Sequence, residues 1–268
     1  MQRHLITLLL IYTFAGNGCS NKYRATNRVY RQQARAFSKM LKQQPGSVDS
    51  VPPPEFWAGT TNFGLRKPNF VIIHHTAQNA CDSTLRTFTL PASMVSAHYV
   101  ICKDGGIHHM LNDYLRAWHA GNSKWGNVTD VNSSSIGIEI DNNGLEPFTD
   151  GQINSLLQLL KKLKKDNNIP AGNFIGHSDI APKRKVDPSR HFPWQLLAKN
   201  GFGNWYDTTG IQLPVIFDPV QSLRTIGYDT RDSASAIKAF KLHFVPQDTT
   251  GVLNENDKKI IYNHYCPR

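Results

Sequence analysis

The chain has 268 residues, a formal net charge of +10 at pH 7, 40% hydrophobic residues and 19% charged residues. This length allows a large core in one or two domains, and the ordinary composition excludes a low-complexity chain. The basic excess favours anionic partners such as anionic lipid, an acidic glycopolymer or nucleic acid, although a basic solvated surface needs no partner.

Residues 1–18 have the features of a secretory signal peptide. A basic residue precedes the apolar run 5–14, which is too short to span a membrane, and small residues follow it. Cys19 occupies the position where a bacterial lipoprotein is cleaved and acylated, and Gly18 suits the position before it. Gly16, where a lipobox usually has Leu, also suits ordinary signal peptidase. Lipidation of Cys19 is therefore our hypothesis, with simple cleavage as the alternative.

Residues 19–54 are predicted to form a basic membrane-proximal segment and linker. The segment has no acidic residue before Asp49, and prolines at 45 and 52–54 indicate where the linker ends. Beside a lipid anchor it would face anionic head groups, and each charge would add about 1 kcal/mol near the surface. A solvated basic helix is the alternative. The cations are Lys22, Arg24, Arg28, Arg31, Arg35, Lys39 and Lys42.

Three further cysteines follow in a chain that is expected to be exported, namely Cys81, Cys102 and Cys266. Oxidising conditions allow one disulfide among them. All three pairings are open, and we favour Cys81 with Cys102. Their spacing does not indicate a metal site.

The middle of the chain shows strand patterns. Residues 70–73 are wholly apolar and predict a buried central strand. Residues 97–102 predict a second strand, which turns through 103–106 into a hairpin partner at 107–111. Residues 135–140 alternate with period two and predict a third strand.

The clearest helix follows these strands. Thr149 and Gln152 can form a capping box at its start, and residues 167–170 end it. Lysines crowd its last turns, where the helix dipole favours cations, so we interpret them as a solvated terminus. The pattern predicts an α/β fold with a mixed central β-sheet flanked by helices. The apolar positions at helical spacing are Ile153, Leu156, Leu157, Leu160 and Leu163.

Three short helical segments are predicted after a change of composition near residues 206–214. Asp218 caps the first and Gly227 ends it, while Asn254 caps the third. We therefore expect a small, separable three-helix domain at residues 209–268. The apolar stripe of the second helix consists of Ile237, Phe240 and Phe244.

Two segments carry the imidazole and carboxylate groups that zinc hydrolases use. His74 ends the first apolar strand, and His177 and Asp187 lie in the segment 176–187. A catalytic zinc site has three protein ligands and an open position for water. Taken singly, however, a histidine at a strand end or an aspartate before a proline is more often structural. Spacing alone leaves the zinc hypothesis open.

Five motifs in order resemble the zinc-dependent N-acetylmuramoyl-L-alanine amidases, the superfamily that includes the peptidoglycan recognition proteins. The resemblance covers roughly residues 55–205, and the signal peptide and C-terminal helices are similar to the lipoprotein members of the bacterial envelope. The motifs are IHHTA (73–77), SAHYVI (96–101), RAWHAG (116–121), SIGIEI (135–140) and GHSDIAPKRKVDP (176–188).

The resemblance implies a zinc ion bound by His74, His177 and Asp187. It also implies that Glu139 is the catalytic glutamate and Lys185 the catalytic lysine. Glu139 would pass the proton of the attacking water to the departing amine, and Lys185 would stabilise the oxyanion that develops.

Other residues near these motifs have weaker interpretations. Trp118, His119 and Arg184 are expected to bind substrate, since an aromatic face suits a sugar ring and a guanidinium can meet carboxylates. A packed loop and a solvated arginine are the alternatives. Strand alternation predicts that His75 points to the face opposite its neighbour. We interpret His98 as a core residue or a support behind the ligands rather than as a fourth ligand.

The expected protein is a lipid-anchored amidase of the bacterial cell envelope, an outer-membrane lipoprotein facing the periplasm. Residues 55–208 would form the zinc amidase domain, and residues 209–268 resemble a three-helix peptidoglycan-binding domain. The partners would be peptidoglycan or muropeptides and the membrane. A non-catalytic peptidoglycan receptor on the same fold and a zinc peptidase of the stem peptide are the alternatives. A nucleic-acid partner is not expected, because the export signal opposes it and no nucleic-acid motif is recognised.

Overall fold

The computed structural model describes residues 22–42 and 60–266. The chain divides into two compact units, residues 1–62 and residues 63–268. The predicted signal peptide, Cys19 and the proline-rich end of the linker lie outside the described residues. Within the described ranges, no helix is both long enough and apolar enough to cross a bilayer.

The first unit contains one described helix, α1 (Arg24–Leu41), and none of its residues is buried. Its five cations recur every three or four residues, so they fall within an arc of about 80° on the helix circumference. The opposite side carries large apolar side chains that are exposed. These are Val29, Phe37, Met40 and Leu41.

The second unit is built around a five-stranded sheet with the order β3-β2-β4-β1-β5. The pairs β2–β4, β4–β1 and β1–β5 are parallel, and β2 and β3 form an antiparallel hairpin. The mixed sheet and the hairpin that the sequence predicts are thus confirmed. The strands are β1 (Phe70–His75), β2 (Tyr99–Ile101), β3 (Ile107–His109), β4 (Ser135–Ile140) and β5 (Phe174–Gly176).

Helices alternate with the strands and cover the sheet, and further helices follow the last strand, β5, in the chain. The longest in this unit begins with the predicted capping box, in which Thr149 and Gln152 exchange two hydrogen bonds of 3.0 and 3.1 Å. The predicted caps Asp218 and Asn254 also accept hydrogen bonds from the first turns of their helices. The helices are α2 (Cys81–Thr89), α3 (Val131–Ser134), α4 (Asp150–Asn167), α5 (His177–Ile180), α6 (Trp194–Lys199), α7 (Pro219–Ile226), α8 (Ser233–Phe244) and α9 (Glu255–Tyr265), with short 3₁₀ turns at Pro91–Ser93 and Ala171–Asn173.

The two faces of the sheet have different roles. Alternate residues of β1 and β4, including Val71, Ile73 and Ile138, pack against the apolar face of α4 in the main core. Because side chains alternate along a strand, Ile72 and His74 point to the other face. That face packs against the loops before α3 and the segment that contains α5. The functional side chains are therefore held on a sheet whose reverse side is fully packed.

The C-terminal helices α7–α9 have a core of their own, which includes Leu223, Phe240 and Ile260. They are also packed against the sheet domain: α8 contacts both α5 and α6. Trp205 packs against both the main core and the C-terminal core.

One disulfide joins Cys81, the first residue of α2, to Cys102, which directly follows β2, and this confirms the favoured pairing. Cys266 is free and exposed.

Candidate metal and catalytic site

The three predicted metal ligands meet at the carboxyl ends of β1 and β5. His74 lies in β1, His177 is the first residue of α5, and Asp187 follows in the next loop. The two Nδ1 atoms are 2.9 Å apart, and Asp187 Oδ2 lies 3.1 Å from His74 Nδ1 and 3.0 Å from His177 Nδ1. All three residues are buried. The fold therefore gathers three donor atoms from segments that are distant in the chain.

A chain of hydrogen bonds sets the tautomer of His74. The Ser135 hydroxyl donates to the Val131 carbonyl at 2.6 Å, so its oxygen is free to accept from His119 Nε2 at 3.1 Å. His119 Nδ1 is then the acceptor for His74 Nε2, also at 3.1 Å. The proton of His74 is thus on Nε2, and Nδ1 presents a lone pair to the other two ligands.

The tautomer of His177 is set in the same way by a carbonyl. His177 Nε2 lies 3.1 Å from the Ala120 carbonyl oxygen, which can only accept. Both hydrogens of the nearby Arg184 Nη2 are used by the carbonyls of Ala120 and Asn122, at 2.7 and 3.0 Å. His177 Nε2 is therefore a donor, and its Nδ1 also presents a lone pair.

Two imidazole lone pairs and a carboxylate oxygen thus face each other with no proton between them. Burial, together with the neighbouring His177, lowers the pKa of His74 to about 4, so that imidazole is neutral at pH 7. Such a cluster is repulsive unless a cation joins it, and two histidines with a carboxylate form a donor set typical of catalytic zinc. The residues fit a zinc ion.

A second group of possible metal ligands within the described residues does not offer a set of free donor atoms. Cys81, Cys102 and His108 lie close together, but the two cysteines are bonded to each other. They offer no thiolate to a metal.

The ring of His119 lies behind His74 and is buried. It occupies space above Gly137, where an added Cβ would come within 2.4 Å of the His119 Cγ. Because Gly137 leaves this room, the ring contacts His74 instead of opening towards solvent. The sequence suggested that His119 binds substrate in the cleft, whereas in the structure its ring is buried behind His74.

Glu139 is the direct partner of His74 in the parallel pairing of β1 with β4, so both side chains leave the same face of the sheet. The Oε2 atom of Glu139 is buried and has no hydrogen-bond partner among the described residues. Burial raises the pKa of Glu139 to about 8; the charge of Asp187 adds to this effect, and the charge of Lys185 opposes it. The carboxyl group is therefore able to exchange a proton near neutral pH.

The other predicted residues surround this centre. Lys185 is partly buried. Its positive charge adds to the effect of burial in lowering the pKa of His74 and opposes the effect of burial that raises the pKa of Glu139. Arg184 is exposed, but its guanidinium is tied to the carbonyls of the 120–122 loop. The Trp118 side chain is 47% exposed, and its backbone N–H donates to Ser96 Oγ at 2.9 Å.

The motif histidines His98 and His75 do not belong to the cluster of possible metal ligands at this site. His98 is completely buried, accepts a hydrogen bond from the Gly137 N–H at 3.0 Å and lies 3.0 Å from the Leu115 carbonyl oxygen. It is a core residue, as interpreted from the sequence. His75 lies on the opposite face, next to Gly144.

Sequence reasoning did not single out Ser135, which hydrogen-bonds to His119, or Gly137, which leaves room for the His119 ring. A pattern was available, because Ser135, Gly137 and Glu139 alternate along β4 and so share one face. It also missed Arg66. Its guanidinium donates to the carbonyls of Asp113 and Leu115 in one loop and to those of Ser133 and Ser135 at the end of α3 and the start of β4, and it contacts His98.

Comparison with known proteins identifies relatives of this arrangement. Residues 64–190 match the family model described as N-acetylmuramoyl-L-alanine amidase. The amidase AmiD of Escherichia coli K12 is 35% identical over 208 residues, which cover 66% of this chain and 74% of AmiD. The 1,6-anhydro-N-acetylmuramyl-L-alanine amidase AmpD of Haemophilus influenzae is 41% identical over 102 residues, which cover 38% of this chain and 55% of AmpD.

Solved structures show the same fold. The complex of Escherichia coli AmiD with anhydro-N-acetylmuramic acid-L-Ala-D-gamma-Glu-L-Lys superposes with a TM-score of 0.67 at 31% identity, covering 76% of this chain and 91% of that chain. AmpDh3 from Pseudomonas aeruginosa gives a TM-score of 0.68 at 30% identity, covering 84% of this chain and 100% of that chain.

Proposed function

This chain belongs to the N-acetylmuramoyl-L-alanine amidase family and is an enzyme of that activity, and we propose that it holds a zinc ion for the reaction at His74, His177 and Asp187. The observation that carries the proposal is the meeting of two imidazole lone pairs and a carboxylate oxygen at mutual distances of 2.9–3.1 Å. When bound, zinc supplies Lewis acidity that lowers the pKa of a water molecule to about 7.

Glu139 is proposed to accept the proton of the attacking water and to pass it to the amine of L-alanine as the amide bond breaks. Its unpaired Oε2 can hold that proton, and its pKa of about 8 in the metal-free fold is close to the working range of an acid–base catalyst. Lys185 supplies a positive charge on the same side, and we assign to it the stabilisation of the carbonyl oxygen as negative charge develops there.

His119 is proposed to position His74 rather than to touch the substrate. Its hydrogen bonds to His74 and Ser135 keep the imidazole in the tautomer that leaves Nδ1 free. Trp118, which is exposed beside the site, is proposed to contact the sugar. Arg184 is proposed to meet carboxylates at the cleft while it braces the loop that carries Ala120.

The substrate is proposed to be peptidoglycan or its muropeptides. The AmiD complex contains an anhydro-N-acetylmuramyl peptide, and the AmpD relatives are named for anhydro-muramyl substrates. We extend this substrate class to the present chain because the similarity to AmiD spans most of that protein.

The chain is further proposed to be a lipoprotein of the bacterial envelope, lipidated at Cys19. Support comes from helix α1, whose cations and exposed apolar side chains occupy opposite sides. Such a helix can lie in the interface of an anionic bilayer, with its apolar side in the acyl boundary and long arginine stems reaching the head groups. Residues 209–268 are proposed to add affinity for polymeric wall material beyond the amidase domain of residues 55–208.

Mass spectrometry of digested peptidoglycan tests the proposed function. Purified enzyme should release intact stem peptides that begin with L-alanine, together with sugars that carry a free lactyl group. A chelator should abolish release and added zinc should restore it. Products cut within the stem peptide would indicate a peptidase instead. Binding without any product, in zinc-loaded protein, would indicate a receptor.

A further inference from the structure

Asp179 is a carboxylate with no exposed surface, two residues after the ligand His177. Its Oδ2 accepts hydrogen bonds from the backbone N–H of Gly176 at 2.7 Å and from His243 Nδ1 at 2.8 Å. Its Oδ1 accepts from the Tyr228 hydroxyl at 2.8 Å. A buried carboxylate is costly without such partners, and here all three are provided by the protein.

Two of these three donors come from the C-terminal helices. Tyr228 follows α7 and is 2% exposed, and its ring packs edge-on against Trp125. His243 belongs to α8 and is 4% exposed, and its ring stacks on Trp194 with centroids 3.9 Å apart. Both donors are therefore held rigidly at the junction with the sheet domain.

The position of Asp179 affects the position of His177 through the backbone of the turn between β5 and α5. Its bond to Gly176 closes the turn from β5 into α5, which sets the direction of His177. The turn has no spare room, because a Cβ on Gly176 would lie 3.0 Å from Pro188 and 3.1 Å from Trp194. The backbone N–H of Ser178 also donates to the carbonyl of Asp187 at 2.8 Å, which joins the segments of two ligands.

Loss of the C-terminal donors would leave the buried carboxylate with one partner. The free-energy cost of an unsatisfied buried carboxylate favours its movement towards water. Because Asp179 lies in the same short helix as His177, such movement would displace that ligand from the other two.

We propose that Tyr228 and His243 are positioning residues for the metal ligand His177, acting through Asp179, so that the three C-terminal helices are required for metal retention and for turnover even of soluble fragments. This inference rests on the proposed zinc site. It assigns to these helices a role in the catalytic centre, separate from any affinity for wall polymer.

The test compares single hydrogen-bond deletions within the same helices. Tyr228→Phe removes one donor and keeps the ring, and His243→Phe removes the other donor and keeps the stack on Trp194. His243→Asn keeps a side-chain N–H donor near the position of Nδ1. Ser222→Ala is the matched control, because it removes a buried hydroxyl that donates to the Asp218 carbonyl at 2.9 Å within α7.

Each variant is prepared with zinc and measured in three ways. The rate of zinc loss to a chromogenic chelator is followed at a temperature where circular dichroism shows complete folding. The thermal midpoint is recorded, and kcat and KM are determined with a soluble muropeptide. The zinc measurement is independent of activity, and the midpoint separates general destabilisation from an effect on the ligand.

We expect Tyr228→Phe and His243→Phe to lose zinc about 10-fold faster than wild type, as is common when a partner behind a ligand is removed. Their kcat should fall with little change in KM, and His243→Asn should recover part of both losses. Ser222→Ala should lower the thermal midpoint without changing zinc loss. The variant that combines Tyr228→Phe and His243→Phe should lose zinc more slowly than the product of the two single rate increases predicts, because both donors act on one carboxylate.

The inference is overturned if wild type binds zinc and the Tyr228 and His243 variants match Ser222→Ala in zinc loss and kcat. If His243→Phe fails to fold, Tyr228→Phe decides the question; if Tyr228→Phe fails to fold, His243→Phe and its partial recovery in His243→Asn decide it. A folded wild-type protein that takes up no zinc would instead overturn the zinc site itself, and this inference with it.

Discussion

His74 and Glu139 are directly paired across the parallel strands β1 and β4. A parallel pair places both side chains on one face, about one strand spacing apart. The proposed metal ligand and the proposed proton carrier therefore share a rigid sheet. Their roles can be separated, because Glu139 Oε2 makes no hydrogen bond to His74, His177 or Asp187. This separation makes the two roles distinguishable by mutation.

Glu139→Gln should keep zinc and lose turnover. Gln has nearly the same volume but cannot accept the proton of water, and a general acid–base residue usually contributes about 10²–10⁴-fold to the rate. Zinc content is measured by atomic absorption, and kcat with a soluble muropeptide. A variant that turns over substrate at the wild-type rate would show that the proton passes through another group.

Glu139 should contribute less to the stability of the metal-free protein as pH rises. This carboxyl titrates near 4.5 when unfolded and near 8 when folded, because burial disfavours its charge. Between these values the folded state binds more protons than the unfolded state, so the free energy of unfolding falls as pH rises and the loss is complete above about pH 8. Each unit of pKa corresponds to about 1.4 kcal/mol.

Urea unfolding of the chelator-treated protein measures this effect. The difference in unfolding free energy between wild type and Glu139→Gln should favour wild type least at about pH 8 and most near pH 5. A difference that stays constant over this range would mean that Glu139 is solvated in the metal-free fold.

Asp187→Ala and Lys185→Ala should both lose amidase activity, but for different reasons. Asp187 contributes one of the three converging donor atoms, so its loss should reduce zinc affinity itself. Lys185 contributes charge but no ligand atom, so its loss should leave zinc in place and lower kcat by roughly 10²–10³-fold. Zinc titration followed by kinetics at saturating zinc separates the two. Recovery of Lys185→Ala activity by excess zinc would contradict this assignment.

Much of the site could be predicted because its residues lie in strong local patterns. His74 ends an apolar strand, and Glu139 lies in an alternating one, so both strands were visible from their periodicity. The capping box of α4 could also be predicted, because its two partners are only three residues apart in the sequence.

The supports behind the ligands were not predictable from local pattern. Asp179 is bonded to residues 49 and 64 positions away, and no periodicity connects them. The burial of His119, which lies in a loop, depends on the absence of a side chain at Gly137 in strand β4. Such contacts are set by tertiary packing, so a histidine in a loop motif gave no indication of which way its ring would turn.

Cys19→Ser should move the protein from the membrane to the soluble fraction of cells. A single acyl chain binds membranes only marginally, so the basic helix α1 is expected to contribute to retention of the lipidated form. Replacing Arg28, Arg31 and Arg35 with Gln should therefore release part of the protein at physiological salt while leaving amidase activity unchanged. High salt should reduce the difference from wild type, because it screens the same attraction. Equal membrane recovery of Cys19→Ser and wild type would exclude the lipid anchor.

Gly137→Ala should weaken zinc binding although residue 137 is not a ligand. The new Cβ would lie 2.4 Å from the His119 Cγ, so the ring must move and its hydrogen bond to His74 must be lost. Overpacking of this kind costs about 1–3 kcal/mol, and loss of the partner behind a ligand costs about 10–100-fold in metal affinity. Gly64→Ala is the matched control, because its added Cβ meets nothing within 4 Å. The two variants are compared by competitive zinc titration and thermal unfolding. If Gly137→Ala binds zinc as tightly as Gly64→Ala, then His119 does not position His74, and the tautomer of that ligand is set by another contact.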